Sequence, residues 1–332
     1  MKIYVIHENP EWYPPIAAAF DSVGVPHEEW LLGDDVIDLD AEPPRGVFWS
    51  RMSASSHTRG HLYAKDQARG VLTWLELHDR RVVNGRRVIE LEMSKVEQHA
   101  ALRAAGFDVP RTVAVAGTAR LAAAARRVDA PFITKHNQGG KGLGVRLFHS
   151  HEEFDDYLSS PDFEHSADGI TLLQEYLRAA EPRITRVEVV NGEFIYAITA
   201  DTALGGFQLC PADACPPTAP PAQPPDGESA PSLFALREGF DHPIIGKYLD
   251  FARRHAIEIA GFEFIETVDG RLVTYDINTN TNYNPGIEAA APRSAQRAVA
   301  EFCGRLLDEE VGKAAVLARG DDPPKPPRGK AA

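Results

Sequence analysis

GFEFIETVDGRLVTYDINTNTNYN, residues 261–284, is the stretch whose reading decides the fold. Phe262, Phe264 and the Leu272–Val273 pair mark two apolar strands, and Asp269–Gly270 between them is a hairpin turn signal. Residues two apart on a strand share a face, so Asp276 and Asn278 project together. A hairpin turning at Asp269–Gly270 brings Glu263 alongside them. Two carboxylates and an amide oxygen on one sheet face make a hard, oxygen-only ligand set. That set suits Mg²⁺ or Mn²⁺, and Mg²⁺ is commonly held together with nucleotide phosphates. A solvated strand face with scattered polar groups accounts for this stretch, taken alone, at least as well.

A second segment tips the balance. Residues 131–148 read PFITKHNQGGKGLGVRLF. An apolar strand ends on Lys135, a loop follows with Gly139, Gly140, Gly142 and Gly144 around Lys141, and a strand resumes at Val145. Glycines let the backbone approach a polyanion, and successive N–H groups can cradle phosphate oxygens. Lys135 and Lys141 supply positive charge. No helix signal follows the glycines, so this is neither the dinucleotide fingerprint nor the Walker loop. It reads as a flap between two strands, able to close over a triphosphate. For the glycines alone a flexible turn is the plainer reading; upstream of a metal-type acidic hairpin they carry more weight.

Composition bounds the rest. A chain of 332 residues has length for two or three lobes, with 43% hydrophobic and 25% charged residues. A net charge of −13 excludes a general affinity for nucleic acid or acidic membranes. No apolar run is long enough to span a bilayer. The start, MKIYVIHENPEWYPP, alternates like a strand and lacks a signal-peptide pattern. Cys210, Cys215 and Cys303 form neither a disulfide framework nor a zinc spacing, so a reducing cytoplasm is expected.

Strands at 2–7, 25–32, 46–50 and 82–83 alternate with helices at 12–23 and 61–78, which implies a small parallel-sheet lobe. A helix at 93–105 starts from Ser94 as N-cap and stops at Gly106. Residues 109–148 run strand, helix (119–127), strand, glycine loop, strand, and a helix at 152–158 follows. A buried strand is expected at 171–177 and a hairpin at 186–200 about Asn191–Gly192. The proline-dense stretch 211–231 reads as a loop, within a segment, 201–234, expected to border the substrate pocket. A helix at 243–259 leads into the acidic hairpin, and a closing helix occupies 294–307. The expected lobes are 1–90, 91–178 and 179–315, with a disordered tail at 316–332.

With Lys95 at a helix start, Lys135 before the flap, QEYL at 174–177 and E…D-x-N at Glu263, Asp276 and Asn278, the chain resembles the ATP-grasp superfamily. Within it the likeness is to carboxylate–amine ligases of the glutamate-ligase type, which extend peptides or modify ribosomal and other proteins. It spans residues 1 to about 307. The resemblance implies a three-lobed α/β and α+β fold with ATP between two sheets. It implies that Lys95 and Lys135 reach the nucleotide phosphates and that Gly139, Gly140, Lys141, Gly142 and Gly144 cover them. Gln174, Glu175, Tyr176 and Leu177 would lie beside the adenine, and Glu263, Asp276 and Asn278 would hold Mg²⁺ (or Mn²⁺). The implied reaction joins a small-molecule or peptide carboxylate to an amine through an acyl phosphate, with release of ADP and phosphate. A phosphotransferase that stops at phosphorylation and a non-catalytic nucleotide-binding module are the alternatives. No nucleic acid or membrane partner is implied, and monomer and homo-oligomer stay open.

The chain departs from the family on the acceptor side. An acidic residue for the ribose is expected soon after the adenine strand, and Glu181 is the candidate, out of register. Where relatives carry an arginine for the acyl phosphate, Gln208 stands here, so Arg186 or Arg293 takes that role. Arg51, after a strand of the first lobe, is a substrate carboxylate binder or a surface arginine in equal measure. His61, His99 and His136 read as packing or surface residues. Asn280, Asn282 and Asn284 contact substrate or cap a loop.

Overall fold

The computed structural model describes residues 1–33, 36–140, 142, 144–205 and 233–319. The chain begins with a parallel sheet in the order β2–β1–β3–β4, built from β1 (Lys2–His7), β2 (His27–Leu31), β3 (Gly46–Ser50) and β4 (Arg81–Val83). Helices α1 (Tyr13–Ser22) and α2 (Ala64–Leu77) make its crossovers. Both faces of a parallel sheet are covered, and all five residues of β3, GVFWS, are accordingly buried. Helices α3 (Arg86–Met93) and α4 (Lys95–Ala104) follow, and Ser94 caps α4 by accepting from the Glu97 amide at 3.2 Å.

The second sheet is antiparallel, in the order β5–β8–β6–β7. It comprises β5 (Thr112–Ala116), α5 (Leu121–Ala125), β6 (Phe132–His136), β7 (Arg146–Phe148), α6 (His151–Ser159) and β8 (Ile170–Glu175). The third has five antiparallel strands. It runs through β9 (Arg183–Val190), β10 (Glu193–Asp201), α7 (Thr202–Gly205), β11 (Phe234–Leu236), α8 (Pro243–Arg254), β12 (Ile259–Glu266) and β13 (Leu272–Asn278). Helices α9 (Pro285–Ala290) and α10 (Ala295–Arg319) close the chain. The β9–β10 turn has Asn191 and Gly192 at φ 49° and 74°, the two left-handed residues of a type I′ hairpin.

Two elements differ from the sequence expectation. Helix α8 ends at Arg254, short of residue 259, because Ala256 takes φ 56° and the Ile257 amide donates to the Ala252 carbonyl at 2.8 Å. That is a Schellman stop, reached here without glycine. Helix α10 runs to Arg319, so residues 316–319, expected in the tail, are helical, and 320–332 lie outside the described residues.

Packing joins the sheets across the expected lobe boundaries. Val88 and Leu91 of α3 and Leu102 of α4 share a core with Phe262, Phe264 and Ile277, so residues 86–104 pack on the third sheet. Val299, Phe302 and Cys303 of α10 share another core with Ile3, Val5 and Trp49 of the first sheet and Ile184 and Ile198 of the third. Asn84 fastens the same seam. Its Nδ2 donates to Ile259 O at 2.7 Å and its Oδ1 accepts from the amides of Glu258 (3.0 Å) and Ile259 (3.2 Å). Among the described residues no helix is long and apolar enough to cross a membrane.

Candidate functional site

A cavity of about 710 Å³ lies between the second and third sheets. One wall is the β12–β13 hairpin. Glu263 pairs with Asp276 and Gly261 with Asn278, so the acidic residues share one face, and Asn278 Nδ2 donates to Glu263 Oε1 at 3.0 Å. Donating through Nδ2, Asn278 keeps its Oδ1 as an acceptor. The register shifts beyond Glu263, where Phe264 pairs with Thr274 and Tyr275 becomes the extra residue. This bulge re-aims Tyr275, whose hydroxyl donates to Glu263 Oε2 at 2.7 Å.

Two cations face these acids, one from each side of the cavity. Lys135 lies near the end of β6 with its ammonium 5.5 Å from the centre of the Tyr275 ring, and Lys95 of α4 forms an ion pair with Asp276. Both lysines, Glu263, Asp276 and Asn278 line the cavity. Burial works to raise the Asp276 pKa, but Lys95 and Lys135 outweigh it and hold the carboxyl at about 2. Burial pushes Glu263 upward, with Arg186 opposing. Burial lowers Lys135. His99 sits behind this cluster, its Nε2 on the Tyr275 carbonyl at 3.1 Å; burial and Lys135 bring it from 6.5 to about 4. It is a packing histidine.

Asn137, the first residue after β6, fixes Lys95 in place. Its Oδ1 accepts from the Val96 amide at 2.9 Å, its carbonyl accepts from the Lys95 amide at 3.3 Å, and its Nδ2 donates to Asp168 at 2.6 Å. The flap base thus holds the start of α4. Sequence reasoning missed Asn137 because its helix partner lies 41 residues away.

Gly139, Gly140 and Gly142 line the cavity. Gly144 does not; it has φ 74°, and a Cβ there would lie 2.8 Å from the His136 ring, so both backbone and space require glycine. Lys141 lies outside the described residues. Gln174, Glu175, Tyr176 and Leu177 line the far end. Gln174 Oε1 is buried with no hydrogen-bond partner, an acceptor that a ligand donor would satisfy. The Glu175 side chain is used internally, accepting from the Arg111 amide at 2.8 Å.

Three expected residues are not in the cavity lining. Arg186 is buried and absent from the cavity lining; it donates to Glu188 at 2.6 Å, to Glu263 at 3.2 Å and to Thr281. Two carboxylates occupy the guanidinium assigned to an acyl phosphate. Arg293 is exposed, paired with Glu193 at 2.6 Å and away from the cavity lining. Glu181 is exposed at the cavity edge: it is not in the lining, but Ala180, Pro182 and its ion-pair partner Arg183, at 3.2 Å, are. Arg51 is not a surface arginine. It is fully buried and donates to Thr281 O at 2.8 Å and Asn282 Oδ1 at 2.9 Å. Asn284 caps α9, accepting from Gly286 and Ile287 amides at 3.0 and 3.1 Å. Thr202 lines the cavity, while Gln208, Cys210, Cys215 and the 211–231 stretch lie outside the described residues.

These groups fit a nucleotide with a divalent ion. Among the described residues no three His, Cys, Asp or Glu side chains converge as a cage. The oxygen donors are two carboxylates and one amide, as expected of an ion that also keeps waters and phosphate oxygens. Two lysines face the same space, and the orphaned Gln174 acceptor marks its other end.

A family profile described as RimK-like ATP-grasp domain matches residues 93–209. No curated protein matches in sequence. Among solved structures, the D-cycloserine synthetase DcsG is 16% identical with a TM-score of 0.61, over 92% of this chain and 99% of that one. A RimK domain ATP-grasp protein from Sphaerobacter thermophilus is 13% identical with a TM-score of 0.64, over 91% and 99%. The ATP-grasp ligase PsnB, complexed with a phosphomimetic variant of its minimal precursor, Mg and ADP, is 15% identical with a TM-score of 0.59, over 93% and 99%. At these identities the likeness establishes the fold.

Proposed function

The chain has the ATP-grasp fold, with a RimK-like ATP-grasp domain over residues 93–209, and from that premise we propose that it is an ATP-dependent carboxylate–amine ligase. It joins a small-molecule or peptide carboxylate to an amine in the cytoplasm. The observation that carries this reading is the convergence of Lys95, Lys135, Glu263, Asp276 and Asn278 on one cavity edged by the glycine flap.

In this reading the substrate carboxylate oxygen attacks the γ-phosphorus of ATP and the bond to the ADP oxygen breaks. The amine then attacks the acyl carbon, and phosphate leaves with that carboxylate oxygen. Glu263, Asp276 and Asn278 would hold Mg²⁺, which supplies charge neutralisation at the transferring phosphoryl group. Lys135 and Lys95 bind and orient phosphate oxygens, and Asn137 keeps Lys95 aimed. Asp276, ionised because two lysines flank it, would take the ion without first losing a proton. Gln174 Oε1 accepts from the adenine amino group. Arg186 neutralises Glu188 and Glu263 from behind and serves as a positioning residue. No side-chain nucleophile is required.

The test is a screen of carboxylate and amine pairs for ADP formation, with product masses recorded. The reading expects ADP, phosphate and a condensed product to appear together, and only when both substrates are present. ADP formed with an acid alone, with a stable phosphorylated product, would replace the ligase by a phosphotransferase.

A further inference from the structure

In the order β2–β1–β3–β4 the chain leaves β1 toward one edge and returns through β3 on the other side. The crevice outside the carboxyl ends of two such strands is a binding position in open α/β sheets. Here it is framed by Glu8 after β1 and by RMSASSHTR, residues 51–59, after β3. The second segment is polar yet buried. Ser53, Ser55 and Ser56 are all buried, and Ser56 Oγ has no hydrogen-bond partner. Arg59 already has its counter-charge. It donates to both carboxylate oxygens of Glu8 and to Ser55 Oγ at 3.1 Å.

Lys65, in the first turn of α2, has none. The residue is only 7% exposed, its ammonium donates to the neutral amide of Gln138, and among the described residues no carboxylate lies within ion-pairing distance. A buried cation without a neighbouring anion is costly. Burial lowers the Lys65 pKa, with more distant Asp168 and Asp66 opposing. His57 is pushed down by burial and then by the Lys65 ammonium. The flap packs against this segment. Gln138 belongs to the flap, and a Cβ on Gly140 would lie 3.3 Å from Ser55 Oγ. Gly140 also lines the main cavity, which Lys65 does not. Lys65 and Ser55 therefore border the flap that also edges the main cavity.

We propose that Lys65, Ser55, Ser56 and Gln138 form an anion subsite that binds a second carboxylate of the acid substrate, the one that is not activated. The inference rests on the ligase reading and narrows its substrates to acids with two anionic groups. A buried ammonium held by one neutral amide is completed by a carboxylate accepting from it.

The test needs no turnover. Succinate and its monoacid counterpart butyrate are titrated calorimetrically into the full chain loaded with Mg²⁺ and a non-hydrolysable ATP analogue. Wild type should prefer succinate by at least about tenfold, the loss expected for one charge-assisted contact. Lys65→Met should abolish the preference, and Lys65→Arg should retain part of it. Affinity for the ATP analogue should stay within about twofold throughout, because the subsite lies outside the phosphate-binding wall. No preference in wild type, or one that survives in Lys65→Met, overturns the subsite. A fall in analogue affinity in Lys65→Met also overturns it and assigns the ammonium to the γ-phosphate. If Lys65→Met does not fold, Lys65→Gln replaces it, with the same expected loss and the same overturning results. Failure of the ligase reading shows separately, as absence of condensed product in the acid–amine screen.

Discussion

Asp276 has the most sharply defined charge of any residue in the cavity. Two lysines hold it ionised against burial, and Asn278 stands beside it on the same strand face. Asp276→Asn and Asn278→Ala should each fold and lower ADP formation about a thousandfold at saturating Mg²⁺, the scale of a lost transition-state charge contact. A steady-state ADP assay with melting curves checks this, and near-normal turnover in either variant removes the metal role. His99 gives a pH prediction. Its folded pKa, about 4, lies below the ordinary 6.5, so the unfolded chain binds the proton first as pH falls. The contribution is therefore complete above about 6.5 and lost as pH drops through about 4, on the order of 3 kcal/mol. Melting temperatures from pH 7 to 4 should fall less steeply in His99→Gln than in wild type. Parallel slopes would show that His99 is not held neutral by the fold.

Among the elements, the β12–β13 hairpin and the flap were the most legible in sequence. Alternating apolar residues and a central Asp-Gly marked the hairpin, and glycines between two apolar runs marked the flap. The same-face placement of Asp276 and Asn278 follows from the strand period, and the turn at Asp269–Gly270 brings Glu263 alongside them. The Tyr275 bulge was not legible, because nothing local distinguishes a residue that pairs from one that is extra. Arg186 was misassigned for a related reason: its partners Glu188, Glu263 and Thr281 come from three segments, and sequence order does not reveal that they enclose it. Gly261 belongs to this arrangement. A Cβ there would lie 2.4 Å from Arg186 Nε, and the guanidinium is tied on several sides. Gly261→Ala should cost about 1–3 kcal/mol, as overpacking does, read as a lower urea midpoint. An unchanged midpoint would mean that Arg186 has room to move.

For the whole molecule, the sheets are held as one body by buried polar crossings that composition and periodicity do not announce. Glu92 of α3 accepts from the Thr279 amide at 2.8 Å and the Thr279 hydroxyl at 2.9 Å, directly after the candidate metal residues. Glu92→Leu leaves those donors buried and unpaired, and should destabilise the chain by about 1–3 kcal/mol in urea unfolding. Stability equal to wild type would mean that the seam does not depend on this contact. The central claim is that this cavity activates a carboxylate by phosphoryl transfer. It is tested most directly by running the reaction with an acid whose carboxylate oxygens carry ¹⁸O and weighing the phosphate released. The account predicts one labelled oxygen in each inorganic phosphate, carried over from the acid. Unlabelled phosphate, or label recovered in AMP, would contradict it.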